Sequence, residues 1–245
     1  MTPAERASAV AFAIQNCALE ALVPDESGMR ASSQYAHGSI GIDEVLDATR
    51  SGACTPGDLV FANTVALAER GWRASGELGE LMEIHRFLFD RVYPGAGRLR
   101  TRDVARSDTA APSRASDPEA FFPAALIETG AMNISGELAE KHNLRSLDRA
   151  VFVHELAKIY DELGYLHPFD RGNAMTLRIF ASRISHDAGW DLDWATVTRG
   201  EYEKAKHDAY GGDISGFEHL FSRAQRPANP TRIFLIAGWD QGPAH

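Results

Sequence analysis

A twelve-residue stretch, His167-Pro168-Phe169-Asp170-Arg171-Gly172-Asn173-Ala174-Met175-Thr176-Leu177-Arg178, lies between two segments of helical period and so dictates a helix, a short loop and a second helix. Ahead of it, Phe152, Leu156, Ile159, Tyr160 and Leu163 recur at helical spacing, and Gly164 is placed to cap that helix. Behind it, Leu177, Phe180, Ala181 and Ile184 mark one face of a helix from Met175 to His186. Where the loop enters this second helix, the backbone N–H groups from about Gly172 to Met175 lack partners one turn back and lie at the positive end of the helix dipole. Such a nest suits an anion, a phosphate above all.

The side chains around the nest bear on the same chemistry. Asn173 is a good N-cap, as able to bond the following N–H as to bond a ligand. Arg178, one turn into the helix, is within reach of the same anion or of a carboxylate. His167, five residues before the glycine, is placed as a general base for a hydroxyl nucleophile. Taken singly, each residue also has an ordinary use, as a loop histidine, a capped turn and half of a surface ion pair; their combination on one short stretch is what points to phosphate.

The remainder reads as helices. Thr2, Pro3 and Glu5 form a capping box with proline at the first helical position, opening a helix that runs to about Ala21. Segments at about 27–36 and 42–49 follow, and residues 1–53 form a small helical module. Leu81, Ile84, His85 and Leu88 mark another helix, and further ones are expected over Phe121–Lys141, Trp190–Thr196 and Tyr202–Tyr210. Residues 102–118 are small and polar, the composition of a loop or short hairpin. The expected class is all-α with at most one hairpin, and residues 223–245 carry too little pattern to assign.

Composition narrows the functions. The net charge of −9 argues against a nucleic-acid or anionic-membrane surface, both of which are bound through clustered Lys and Arg. The two cysteines, Cys17 and Cys54, form no CxxC pair, so neither a disulfide framework nor a structural zinc site is indicated, and a reducing, cytoplasmic setting fits, with export into another cell left open. No apolar run approaches the roughly 20 residues of a membrane span. His154-Glu155-Leu156-Ala157-Lys158 lacks the second histidine of a zinc-protease helix, and no Walker-type loop is present.

In order and spacing, His167, Pro168, Phe169, Gly172, Asn173 and Arg178 resemble the motif of the Fic family, His-Pro-Phe-x-x-Gly-Asn-Gly-Arg-x-x-Arg. The resemblance extends through Ile84–Phe89, Val92–Thr101 and Gly189–Trp194, and covers roughly residues 60–222. It implies an all-α Fic core with a short β-hairpin flap at 102–118, on which a protein target docks by strand addition. It implies ATP as substrate, with nucleotide-binding residues Gly172, Asn173, Ala174 and Arg178, and His167 as the base that lets a Ser, Thr or Tyr hydroxyl take AMP from the α-phosphate. Three positions depart from the family. Arg171 stands where the family has a magnesium-binding acid, which leaves Asp170 as the candidate ligand for Mg2+. Ala174 replaces the third glycine, and Met175 replaces the first arginine, which in the family contacts the outer phosphates.

Residues 6–50 resemble the small helical antitoxins that silence some Fic enzymes, in Asn16–Pro24 and Gly38–Glu44. Asn16 and Glu20 hold the Ser and Glu places of the inhibitory motif, so the resemblance implies a Glu20–Arg178 ion pair that blocks the γ-phosphate. Three functions follow: an autoinhibited Fic-type protein adenylyltransferase, a catalytically silent Fic-like scaffold that binds nucleotide or protein, and transfer of a different phosphate-containing group. A homo-oligomer is left open.

Overall fold

Thr2 accepts from the Glu5 N–H while the Glu5 carboxylate accepts from the Thr2 N–H, and from this box α1 (Pro3–Ala18) starts. In the computed structural model, residues 1–51, 54–69, 75–105 and 120–228 are described. Among them, α2 (Glu26–Ala36), α3 (Ile42–Ser51), α4 (Pro56–Glu69), α5 (Leu78–Leu88), α6 (Ile127–Glu140), α7 (Arg149–Leu166), α8 (Asn173–Asp187), α9 (Arg199–Tyr210) and α10 (Ser215–Ala224) follow in order. The class is all-α, with one two-stranded antiparallel sheet among the described residues, of β1 (Trp190–Leu192) and β2 (Gln225–Pro227). No described helix is long and apolar enough to cross a membrane.

The central helix is α8, whose residues from Met175 to Ser185 are all buried. It packs on α5, α7 and β1, and a buried ion pair between Glu80 on α5 and Arg183 on α8, at 3.0 Å, ties the first of these contacts. On its other side lies α1, which reaches the core through Gln15: its Nε2 donates to the Val197 carbonyl at 2.9 Å. The three N-terminal helices have a fourth packed against them. Helix α4 packs on α1, α2 and α3, Tyr35 donates to Glu69 at 2.8 Å, and Asp58 accepts from the Asp25 N–H at 2.7 Å.

Several expected boundaries are corrected. Helix α1 stops at Ala18, not Ala21, because Ala21 takes a left-handed φ of 56° and the Leu22 N–H turns back to the Cys17 carbonyl. Gly164 does not cap α7; the helix runs on to Leu166, which is 1% exposed, and burial of that leucine outweighs the weak helical propensity of the glycine. The expected helix at Phe121 begins at Ile127. Pro123 disfavours a helical backbone at Phe122, and the N–H groups of Phe121 and Phe122 go to the Val104 and Tyr165 carbonyls. Trp190–Thr196 is β1 and a 3-10 turn rather than a helix, since Asp191 pairs across with Arg226 in the sheet. That sheet draws Gln225–Pro227, expected to fall in an unassigned extension, into the core fold. Ala105 and Ala120 form an antiparallel bridge on either side of the segment where a hairpin is expected, and 106–119 and 229–245 lie outside the described residues.

Candidate active site

Helix α7 ends at His167, whose backbone is left-handed, φ 44° and ψ 60°, a conformation costly for a residue with a Cβ and one that clusters at functional sites. Its ring stacks on Phe121 with centroids 3.8 Å apart and an interplanar angle of 13°. From here the loop is held almost carbonyl by carbonyl. Arg100 Nε donates to the His167 carbonyl at 2.7 Å, the Arg100 N–H to Pro168 at 2.9 Å, and Asn173 Nδ2 to Phe169 at 2.7 Å. His85 Nε2 lies 2.9 Å from the Arg171 carbonyl, which Tyr93 also approaches at 3.2 Å. With these carbonyls tied, Gly172 (φ 73°) leads into the first turn of α8. A Cβ there would stand 2.3 Å from the Phe89 ring, so only glycine fits both the φ and the space.

The Asn173 side chain is therefore not a cap. It clamps the loop, since its Oδ1 also accepts from the Phe169 N–H at 3.0 Å. Phe169, 1% exposed, anchors the loop by stacking on His85 at 3.8 Å. His85 itself is 1% exposed, and its Nδ1 accepts from the Gly97 N–H at 2.8 Å, which leaves Nε2 to carry the proton toward Arg171. Burial depresses its pKa to about 4, against the raising effect of the Arg171 carbonyl, so the ring is neutral at ordinary pH.

His167, Asn173 and Ala174 line one cavity with Tyr160, Tyr202 and Lys206. Arg178 lies a turn deeper, 1% exposed at its side chain, and is turned toward α1. Its Nε donates to Asn16 Oδ1 at 2.6 Å, and its Nη2 to the Asn16 carbonyl at 3.1 Å and to Glu20 Oε1 at 2.9 Å. The expected Glu20–Arg178 ion pair is thus present. The guanidinium also lies 4.9 Å from the centre of the Tyr202 ring, and Tyr202 shares a 2.7 Å hydrogen bond with Tyr160. Cys17 is buried beside the Arg178–Glu20 pair, and burial pushes its thiol up to about 12.

The departures are placed as well. Met175 is 2% exposed, a buried apolar side chain at the place of the family's first arginine. Asp170 and Arg171 are exposed and do not line the cavity. Asp170 instead bears electrostatically on Arg100 and Tyr93, on the side of the 102–118 base. Arg100, His85, Tyr202 and Lys206 were not foreseen as site residues. All four lie inside the span of family resemblance, but His85 and Arg100 bond to backbone oxygens far along the chain, for which no spacing rule exists.

A histidine presented by one helix end at the open N-terminus of the next, inside an all-α core, defines the Fic class. The model described as "Fic/DOC family" matches residues 76–185, and full-length relatives of that kind match over more than two thirds of their own length, so the chain belongs to that family. It is 32% identical over 146 residues to the probable protein adenylyltransferase Fic of Escherichia coli, covering 60% of this chain and 68% of that protein. It is 34% identical over 147 residues to the protein adenylyltransferase VbhT of Bartonella schoenbuchensis, covering 60% of this chain but 29% of VbhT. Among solved structures, the BepC protein of Bartonella tribocorum with bound AMPPNP shares the fold, with a TM-score of 0.62, 22% identity, and 71% and 86% of the two chains covered.

Proposed function

We propose that this chain transfers AMP from ATP to a hydroxyl side chain of a protein target, and that its N-terminal module restrains the reaction. The observation that carries this reading is the shared cavity: the His167 ring and the first turn of α8 line one space. The names of the E. coli and Bartonella relatives support it. His167 takes the proton of the incoming hydroxyl, whose oxygen forms a bond to the α-phosphorus. The bond from that phosphorus to the bridging oxygen breaks, and pyrophosphate leaves. The N–H groups of α8 are placed to hold the non-bridging oxygens as charge builds on them.

Restraint rests on Arg178. Glu20 and Asn16 occupy its Nη2 and Nε, and an outer phosphate would have to displace them to take the full fork. A magnesium ion would find one loop carboxylate, Asp170, which does not line the cavity, so the loop does not by itself form a magnesium site. The target is expected to dock along 102–118, whose base at Ala105 and Ala120 leads directly to Phe121 on the His167 ring.

A second reading, a scaffold that binds nucleotide without transferring it, is favoured by buried Met175, which brings no charge to the outer phosphates. Incubation with α-labelled ATP, other labelled nucleotides and a cell lysate separates the two. Label on protein that rises with Glu20→Gly and vanishes with His167→Ala supports AMP transfer. Label from another donor alone points to a different transferred group, and none from any donor, even with Glu20→Gly, supports the scaffold. Met175→Arg with Arg171→Glu then tests whether those two positions disable the loop.

A further inference from the structure

Between the catalytic loop and both ends of the 102–118 segment stands one buried guanidinium. Arg100 is 2% exposed, yet its carboxylate partner, Asp103, is 4.0 Å away and 71% exposed, so ion pairing does not account for burying a charge there. What surrounds the charge is carbonyl oxygen from three separate pieces of chain. Nε donates to His167 at 2.7 Å and Nη2 to Leu166 at 3.3 Å, both on the loop side. Nη1 donates to Arg102 at 2.9 Å, where the chain leaves toward the 102–118 segment, and Nη2 donates to Phe122, where it returns. The residue before Phe122 is Phe121, whose ring stacks on His167 and whose N–H closes on Val104.

We propose that Arg100 is a positioning residue that sets the distance between His167 and the docked acceptor by holding the loop and both ends of the docking segment on one rigid fork. This rests on the transfer reading above. Lysine cannot do the same, because an ammonium is a point donor and the carbonyls lie in different directions around a planar fork. The nucleotide side of the site is held by other groups, Asn173 on Phe169 and His85 on Arg171. Loss of the fork therefore separates two properties that a general loss of structure would take together.

The test compares Arg100→Lys with its parent, both in the Glu20→Gly background. Affinity for a fluorescent ATP analogue stays within about twofold, while label transfer from α-labelled ATP to lysate proteins falls about 10- to 100-fold, the scale of an ångström-level misplacement. Amide exchange rises at Phe121, Phe122 and His167 and stays unchanged within α8. Parallel loss of nucleotide affinity and transfer, or unchanged exchange with unchanged transfer, overturns the proposal. Should Arg100→Lys not fold, Asp103→Ala serves instead: Asp103 is exposed, pairs with Arg100 and accepts from the Ala124 N–H at 2.7 Å, so the same pattern is expected in smaller degree. If the parent transfers no label, the transfer reading fails, and the exchange measurement still decides the role of Arg100.

Discussion

Removing the Glu20 carboxylate should loosen the apo protein and tighten its hold on ATP. Arg178 is 1% exposed and Glu20 34% exposed at their side chains, with 2.9 Å between Nη2 and Oε1. Breaking a fully buried pair costs about 3–5 kcal/mol and an exposed one about 0–1, so a half-buried partner places Glu20→Ala at about 1–2 kcal/mol. The lower figures are favoured because Arg178 keeps Asn16 and the Tyr202 ring, and the wild-type guanidinium already leaves Nη1 without a hydrogen-bond partner among the described residues. For a chain of this size the loss corresponds to a melting temperature lower by about 2–8 °C. If Glu20 and an outer phosphate compete for Arg178, the same energy returns as ATP affinity tighter by about 5–30-fold. The assay is thermal unfolding of wild type and Glu20→Ala with and without ATP, alongside calorimetric titration. Saturating ATP should raise the variant's melting temperature by more than it raises that of wild type. A variant that is destabilised but binds ATP no better would show that the pair is only structural and that the module does not guard the nucleotide.

Three further outcomes follow from the geometry. Gly172→Ala puts a Cβ 2.3 Å from the Phe89 ring at φ 73°, so transfer should be abolished and the melting temperature lowered, as read by scanning calorimetry. Asn173→Ala removes both bonds to the Phe169 backbone and leaves a buried N–H and carbonyl unpaired, which should cost about 2 kcal/mol in urea unfolding. His85 has a folded pKa of about 4, below its unfolded value near 6.5. Between those values the unfolded chain binds a proton that the native ring refuses, so falling pH erodes stability by up to about 1.4 kcal/mol per unit across that window and no further below it. The gap in stability between wild type and His85→Gln should therefore shrink from pH 6.5 to pH 4; a constant gap would refute the assignment of a neutral, buried ring.

The parts of this protein that were legible in its sequence are those set by neighbours in the chain. The Thr2–Glu5 capping box, the apolar stripes of α7 and α8, and the open helix N-terminus after Gly172 depend on contacts within a few residues, which propensity and period record directly. The functional reading of His167 and Arg178, and of Glu20 against Arg178, came from an ordered match to a family, because the partners lie 158 residues apart and share no local pattern. Tertiary structure alone decided the rest. Gly164 stays helical because Leu166 beyond it is buried, and Trp190–Leu192 is a strand because Gln225–Pro227 lies alongside to take its hydrogen bonds. Asn173 clamps Phe169 instead of capping α8, and Arg100 is buried because two distant pieces of chain, Leu166–His167 and Phe122, turn their carbonyls toward it beside that of neighbouring Arg102. A hydrogen bond to a backbone oxygen can be made by any residue the fold brings near, and sequence spacing carries no trace of where that oxygen will be.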